Sequence, residues 1–242
     1  MKCFGLTDKG RVRKDNQDSF IIEKCEAKNC LIVGLCDGMG GAKASQLSNK
    51  AFVDFVYGKL TSRVERVQNY KNMLQSACDE ANGVSYEYSK FDEAYNGMGT
   101  TIVGGVMKNS GKAHIINVGD SRAYHVGKSG IRQVTKDHSL VQMMVDRGDL
   151  TPEVAKSYPG KNFITRAIGT ETTVLCDIFH LDVGKGDYLL LCSDGLSNLL
   201  DDQEILFEVV HGVYKQNCCK RLLNIAKNRG APDNVTSVLI AV

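Results

Sequence analysis

Apolar and polar positions follow two different periods along the chain. Short apolar or alternating runs bounded by Gly and Asn are typical of strands. Apolar residues that recur every three or four positions indicate helices. The pattern predicts strands at 2–6, 19–23, 31–36, 100–107, 113–118, 122–126, 174–181, 188–192 and 236–241. It predicts helices at 44–60, 66–91, 140–147, 152–157, 202–211 and 215–228.

The order of these elements points to a particular architecture. Strands cluster in the middle and at both ends of the chain, and helices come in pairs rather than alternating with single strands. This order favours a β-sandwich with helices on both sides over a fold of repeated βαβ units. The length of 242 residues fits one domain, residues 1–242.

Five acidic residues lie at predicted strand ends or in glycine turns. They are Asp18, Asp37, Asp120, Asp194 and Asp233. A carboxylate at a strand end can leave the core while its backbone stays fixed. Several carboxylates that converge need a cation, because their repulsion otherwise protonates some of them. Mg²⁺ and Mn²⁺ prefer oxygen ligands. The Gly38 carbonyl is a further candidate ligand, because glycine has no side chain that would keep it away from a metal ion.

Most of these residues also have an ordinary structural explanation. Asp-Gly pairs, such as Asp37-Gly38 and Asp194-Gly195, are common in hairpin turns. Asp233 follows Pro232 and could cap a turn. Arg13 could grip a phosphate through two hydrogen bonds, or be one more exposed basic residue. The metal hypothesis therefore depends on the five acids as a set.

Composition narrows the possible environments and partners. A net charge of +2 without a basic run argues against nucleic acid, and no apolar stretch is long enough to span a membrane. The first residues lack the apolar region of a signal peptide. Nine cysteines without zinc-site spacing are expected to be reduced thiols. The expected location is therefore cytoplasmic.

Eight stretches, in order along nearly the whole chain, carry a resemblance to a known family. They are TDKGRVRKDNQDSF, LIVGLCDGMGG, GMGTTIVGG, INVGDSRAY, DHSLVQMMVDRG, NFITRAIG, GDYLLLCSDGL and APDNVTSVLI. The chain resembles the metal-dependent serine/threonine protein phosphatases of type 2C, and it is most similar to the compact prokaryotic members.

The resemblance implies a fold and a set of residue roles. The fold would be of the α+β class, an αββα sandwich in which helix pairs flank two central antiparallel β-sheets. Residues from about 137 to 169, called the flap segment below, would border the active site. The implied roles are a metal-bridging carboxylate for Asp37, metal ligands for Gly38, Asp194 and Asp233, a third-metal ligand for Asp120, outer-shell contacts for Asp18 and a phosphate clamp for Arg13.

The implied reaction is hydrolysis of phosphoserine and phosphothreonine in proteins, by direct attack of a hydroxide that bridges two Mn²⁺ or Mg²⁺ ions. A third ion could join them. The expected partners are phosphorylated proteins, among them a serine/threonine kinase and its targets, and the expected state is a monomer. A two-metal phosphodiesterase and a non-catalytic metal-binding regulatory module remain alternatives.

Two positions depart from the family pattern and concern the general acid. Met39 and Ala42 stand where relatives can carry histidines, so no side-chain proton donor is assigned. Of the five histidines, His138 at the start of the flap segment is a candidate to line the site, and the other four are expected to be structural.

Overall fold

The computed structural model describes residues 1–64, 67–91 and 93–242. Within these ranges twelve strands supply about half of the buried apolar residues. They are β1 (Lys2–Asp8), β2 (Ser19–Cys25), β3 (Cys30–Cys36), β4 (Gly38–Met39), β5 (Gly99–Thr100), β6 (Ile102–Lys108), β7 (Lys112–Val118), β8 (Arg122–Gly127), β9 (Gly130–Gln133), β10 (Asp177–Asp182), β11 (Tyr188–Cys192) and β12 (Val235–Ala241).

Seven α-helices accompany these strands in the described ranges. They are α1 (Ala42–Thr61), α2 (Tyr70–Phe91), α3 (Leu140–Arg147), α4 (Pro152–Ala155), α5 (Asp194–Ser197), α6 (Asp202–His211) and α7 (Cys218–Asn228). None of the helices in the described part of the chain is long and apolar enough to cross a membrane.

Ten of these strands form two five-stranded antiparallel sheets that pack face to face, and β4 and β5 pair with each other in a separate two-stranded sheet. Sheet I has the order β1-β12-β11-β8-β9, and sheet II has the order β10-β7-β6-β3-β2. Helices α1 and α2 cover the outer face of sheet II, and α6 and α7 cover the outer face of sheet I. The predicted α+β sandwich, with helix pairs on both sides, is therefore confirmed.

The layers explain why β3 is apolar along its whole length. Successive side chains of a strand point to opposite faces. Leu31, Val33 and Leu35 enter the core between the two sheets, whereas Ile32 and Cys36 enter the core beneath α1 and α2. Because both faces of the strand are buried, no position on it favours a polar residue.

Several predicted boundaries were wrong, for reasons visible in the contacts. The predicted strand 100–107 is divided at Thr101, whose backbone N–H donates to the Asp37 carbonyl at 2.9 Å, outside either sheet ladder. The predicted strand 174–181 starts later, as β10, and the predicted helix 215–228 starts later, as α7.

Other short elements escaped prediction. Strands β4 and β9 and helix α5 each have four residues or fewer, too few for a periodic pattern to emerge. The predicted helix 66–91 begins at a position that lies outside the described residues. Its next residues, 67–69, are not helical, and the helix starts at Tyr70 as α2. All nine cysteines are free thiols, as expected.

Candidate functional site

Register brings Asp18 and Asp37 to the same end of sheet II. Strands β2 and β3 are antiparallel, and Ser19 at the start of β2 lies opposite Cys36 at the end of β3. The residue before β2 and the residue after β3 are therefore neighbours. Asp18 and Asp37 are far apart in sequence because the β2–β3 hairpin lies between them, and the pairing of its two strands brings them together.

Sheet I brings three further acids to its own corresponding end. Cys192 at the end of β11 pairs with Arg122 at the start of β8 and with Ser237 near the start of β12. Asp194 therefore follows β11 at the edge where Asp120 precedes β8 and Asp233 precedes β12.

A cavity of about 470 Å³ lies where these strand ends meet. Its wall contains six of the seven residues expected from the sequence: Arg13, Asp37, Gly38, Asp120, Asp194 and Asp233. The seventh, Asp18, is buried and is not among the lining residues. Residues at the ends of both sheets, from five separate parts of the sequence, thus share one pocket.

Burial and mutual repulsion make these carboxyl groups reluctant to ionise. Burial, and then the charges of Asp18 and Asp194, raise the pKa of Asp37 well above its ordinary value. Burial and the charge of Asp194 raise the pKa of Asp120 to about 8. Burial and the charge of Asp233 raise the pKa of Asp194. Such a cluster is stabilised by positive charge placed among the oxygens.

Asp18 lies behind the cavity in a ring of hydrogen bonds. Its Oδ2 accepts from the hydroxyls of Ser193, at 2.9 Å, and Thr236, at 2.6 Å. The Thr236 hydroxyl has one proton, so the Thr7 hydroxyl must donate to Thr236 Oγ1 across 2.6 Å. Asn16 closes the ring by donating to Thr7 Oγ1 and accepting from the Asp18 N–H. Burial raises the pKa of Asp18 to about 6 despite the two hydroxyl donors.

Arg13 and Asp233 are directly paired at the rim. Arg13 Nη2 donates to Asp233 Oδ2 at 2.8 Å, and the arginine side chain is 56% exposed. This hydrogen bond is the main reason that the pKa of Arg13 is raised. The sequence suggested separate roles for the two residues, phosphate binding for Arg13 and metal binding for Asp233, whereas the structure shows them hydrogen-bonded to each other. An exposed guanidinium with donors remaining can still receive an anion from the cavity.

Asn234 fastens the segment that carries Arg13. Its Nδ2 donates to the carbonyls of Lys9 and Asp15, both at 2.9 Å, and its Oδ1 accepts from the Gln17 N–H at 2.8 Å. One buried side chain thus fixes the 9–17 loop against the strand end that carries Asp233.

Gly38 is required by close packing. A Cβ at this position would lie 2.5 Å from the Gln17 carbonyl oxygen. The glycine therefore lets the 9–17 loop lie against the turn that follows Asp37. This is a different reason from the free carbonyl suggested by the sequence.

The chemistry of the donors fits a hard divalent cation. Asp18 Oδ1 and Asp194 Oδ1 are buried without a hydrogen-bond partner, so each has lone pairs to offer. Across residues 1–64, 67–91 and 93–242, no group of three or more His, Cys, Asp or Glu side chains is placed to hold a metal ion by itself. The acids instead surround the cavity, an arrangement suited to Mg²⁺ or Mn²⁺, which bind few carboxylates and keep several waters.

Comparison with known proteins identifies the family. The chain matches the family model of protein phosphatase 2C over residues 9–222. It is 34% identical over 239 residues to the serine/threonine phosphatase Stp of Listeria monocytogenes serotype 4b, covering 97% of this chain and 93% of that protein. The chain belongs to the protein phosphatase 2C family. Its activity is accordingly that of a protein serine/threonine phosphatase.

Solved structures agree with this assignment. Serine/threonine phosphatase Stp1 from Staphylococcus aureus superimposes with a TM-score of 0.92 at 33% identity, covering 100% of this chain and 94% of that one. The catalytic domain of the phosphatase PstP, in complex with two manganese ions, superimposes with a TM-score of 0.83 at 30% identity, covering 98% and 96%.

The flap segment borders the pocket of this phosphatase. Asn162 and Ile164 contribute to the 470 Å³ cavity. A neighbouring cavity of about 510 Å³ lies between the flap segment and the α5–α6 region, and both cavities share Asp120 and Asp194. Asp120 and Asp194 therefore lie at the junction of two clefts.

The cavity wall also bears on the proton donor. Met39 lines the cavity, and no histidine is among its described lining residues. The expectation that His138 is a candidate to line the site was wrong, because its side chain is buried behind the Asp120 loop.

Sequence reasoning missed the hydroxyl and amide groups that hold the acids. Ser193, Thr236 and Asn234 bind Asp18 or the Arg13 loop, and the hydroxyl of Thr101 accepts from the Asp37 N–H at 3.0 Å. A signal was present, because Ser193 stands between an apolar strand and Asp194, and Thr236 lies within an apolar strand three residues after Asp233. A polar residue at such a position needs a buried partner.

Proposed function

We propose that the 470 Å³ cavity is the active site, in which Asp37, Gly38, Asp194 and Asp233 bind two Mn²⁺ or Mg²⁺ ions. The observation that carries this is the convergence of buried carboxyl groups with raised pKa values and unpartnered oxygens. The proposal also assigns Asp120 to a third ion.

Two such ions would lower the pKa of water toward about 7 and offset the charge of a phosphoryl group. The residues of the chain then divide the remaining tasks. Asp37, between the two halves of the site, would bridge the ions, and Asp18 would hold waters around them. The hydroxyls of Ser193 and Thr236, which donate to Asp18 Oδ2, keep that oxygen in a fixed position.

Arg13 would hold the phosphate of the substrate. Its guanidinium is exposed at the cavity rim and already oriented by Asp233, which limits the side-chain entropy lost on binding. The leaving serine or threonine oxygen needs a proton, and Met39 cannot supply one. Water is therefore the proton source in this proposal.

The test is Asp37→Asn on the intact chain, with Asp54→Asn as a matched control. Asp54 is an exposed acid on α1 that pairs with Lys50. Asp37→Asn should reduce manganese-dependent phosphopeptide hydrolysis at least about 10³-fold, as expected for losing a group that acts directly in catalysis. It should also weaken Mn²⁺ binding in calorimetry, while Asp54→Asn resembles the wild type. Full turnover by Asp37→Asn would refute the assignment.

We further propose the biological setting. Residues 1–242 would act as one catalytic domain whose flap segment influences substrate choice. The substrates are phosphoproteins, and a serine/threonine kinase would supply them and be a target itself. Nine free thiols support a reducing, cytoplasmic location. We expect a monomer, which light scattering during size-exclusion chromatography can test.

A further inference from the structure

His138 holds Gly119 from two sides. The His138 backbone N–H donates to the Gly119 carbonyl at 2.9 Å, and the Gly119 N–H donates to His138 Nδ1 at 3.0 Å. Both polar backbone groups of Gly119 are thus bonded to one residue. Gly119 directly precedes Asp120, so this double contact, called the Gly119 clamp below, fixes where the chain turns toward the cavity.

The turn at Gly119 is tightly packed and needs a backbone conformation that favours glycine. Its φ is +101°, and a Cβ would lie 2.5 Å from Thr101 Cγ2. Beyond Asp120, the hydroxyl of Ser121 is 2.7 Å from Thr101 Oγ1, which also accepts from the Asp37 N–H. Displacement of Gly119 would therefore move Asp120 and disturb the contact that holds Asp37.

The contacts of the ring define its tautomer. A neutral imidazole has one acceptor nitrogen and one N–H donor. Because Nδ1 accepts from Gly119, the proton is on Nε2, which lies 3.3 Å from Asp177 Oδ2. Arg166 Nη1 is 3.0 Å from Nε2 but cannot donate to a protonated nitrogen; it donates to Asp177 Oδ1 at 2.9 Å. Asp177 thus selects the tautomer that leaves Nδ1 free to accept.

The surroundings keep His138 neutral, as the clamp requires. The side chain is buried, and burial followed by the charge of Arg166 lowers the pKa of His138. Asp177 and Asp137, the acids that face it, act in the opposite direction.

The same residue also anchors the flap segment. The Thr165 N–H donates to the His138 carbonyl at 2.8 Å, which ties the end of the flap segment to its beginning. Asp177 lies at the start of β10, just beyond the flap segment. The Gly119 clamp therefore connects the flap segment to the acidic cavity through one side chain.

We propose that His138 is a positioning residue for Asp120: with its Nε2–H oriented by Asp177, it holds Gly119 so that the Asp120 carboxylate faces the cavity. This inference rests on the proposed function, which gives Asp120 a role in metal binding. The phosphatase activity of the family does not by itself require it.

Two substitutions separate the halves of the clamp. His138→Asn places an amide oxygen near the position of Nδ1, so it can still accept from the Gly119 N–H. His138→Gln places an amide N–H near the position of Nε2, so it can still donate to Asp177 but offers no acceptor to Gly119. Both side chains are polar amides, and asparagine is the smaller by one methylene, so packing alone would penalise His138→Asn at least as much as His138→Gln.

The readouts are calorimetric Mn²⁺ titration, thermal unfolding in chelator, and steady-state phosphopeptide hydrolysis by the intact chain. Groups that orient ligands typically contribute 10–100-fold to metal affinity. We expect His138→Gln to weaken the lowest-affinity Mn²⁺ event about tenfold or more and to lower kcat with little change in KM. His138→Asn should retain most of the wild-type Mn²⁺ affinity and kcat, although it unfolds at the same temperature as His138→Gln or lower.

Two results would overturn the proposal. One is equal losses in both variants that follow their unfolding temperatures, which would make His138 purely structural. The other is wild-type behaviour of His138→Gln. Asp120→Asn, measured in parallel, tests the proposed function separately. If Asp120→Asn is unaffected, the role of Asp120 is wrong; if it is impaired and His138→Gln is not, the clamp is wrong.

Discussion

Thr236→Val tests whether hydroxyl donors hold Asp18 in its charged form. The Thr236 side chain is fully buried, and its hydroxyl donates to Asp18 Oδ2 at 2.6 Å. Valine keeps the shape but removes this donor, and no water can replace it in a buried site. Asp18 would keep only the Ser193 hydroxyl on that oxygen, and its Oδ1 already has no partner.

The cost depends on pH. A hydrogen bond to a charged group contributes about 1.5–3 kcal/mol, and one between neutral groups contributes about 1 kcal/mol. Because the pKa of Asp18 is raised to about 6, the folded protein carries the charge at pH 7.5 and not at pH 4.5. Thr236→Val should therefore lower the free energy of unfolding by about 2 kcal/mol at pH 7.5 and by about 1 kcal/mol at pH 4.5.

Urea unfolding of the chelator-treated protein measures both values. With a urea slope of about 2 kcal/mol/M, the midpoint should fall by about 1 M at pH 7.5 and by about half as much at pH 4.5. Thr170→Val, at an exposed position, is the control and should change stability by less than about 0.5 kcal/mol. A double mutant with Asp18→Asn should show coupling. Equal losses at both pH values, together with additive effects in the double mutant, would refute the reasoning.

Three further outcomes are expected. Arg13→Ala should raise the KM for a phosphopeptide about tenfold or more, and Arg13→Lys should recover only part, because lysine lacks the bidentate fork; an unchanged KM in steady-state kinetics would contradict the role. Without metal, the stability of the folded chain should fall from pH 5 to pH 7 by about 1.4 kcal/mol per pH unit from Asp120 alone. The reason is that its pKa is about 8 when folded and ordinary when unfolded; a flat urea-unfolding profile in chelator would oppose this, and Asp120→Asn should reduce the slope. A thiol reagent should label Cys176 before Cys3 and leave the seven buried cysteines largely unreacted in the native protein, since burial raises the pKa of Cys3 to about 12; rapid reaction of all nine, followed by absorbance, would show that the core opens.

Periodicity and strand-end chemistry predicted much of this molecule. The long helices α1 and α2 and the central strands β3 and β11 have patterns that local geometry imposes. The position of the acids at strand ends could also be predicted, because the sequence shows directly where an apolar run stops at an acidic residue. Short elements such as β4 and α5 escaped, because a single period of a pattern cannot show that the pattern repeats.

Only the tertiary structure decided which polar groups meet. The pairing of Arg13 with Asp233 joins residues 220 positions apart, and the Asp18 ring closes through Thr236 at a separation of 218. Such contacts depend on strand register, which places Ser19 opposite Cys36. A change of register by one residue would turn every side chain to the other face.

His138 shows the division most clearly. Its sequence position at the start of the flap segment suggested a place in the pocket, and the fold buries it behind Gly119 instead. The sequence by itself determined the strands, the helices and the acids at strand ends, because these follow from local spacing and residue chemistry. Only the structure revealed the burial that raises the carboxyl pKa values. Only the structure revealed the hydroxyls that hold Asp18 and the His138 imidazole that positions Asp120 through Gly119. Each of these depends on distances between strands that the chain brings together only when both sheets pack.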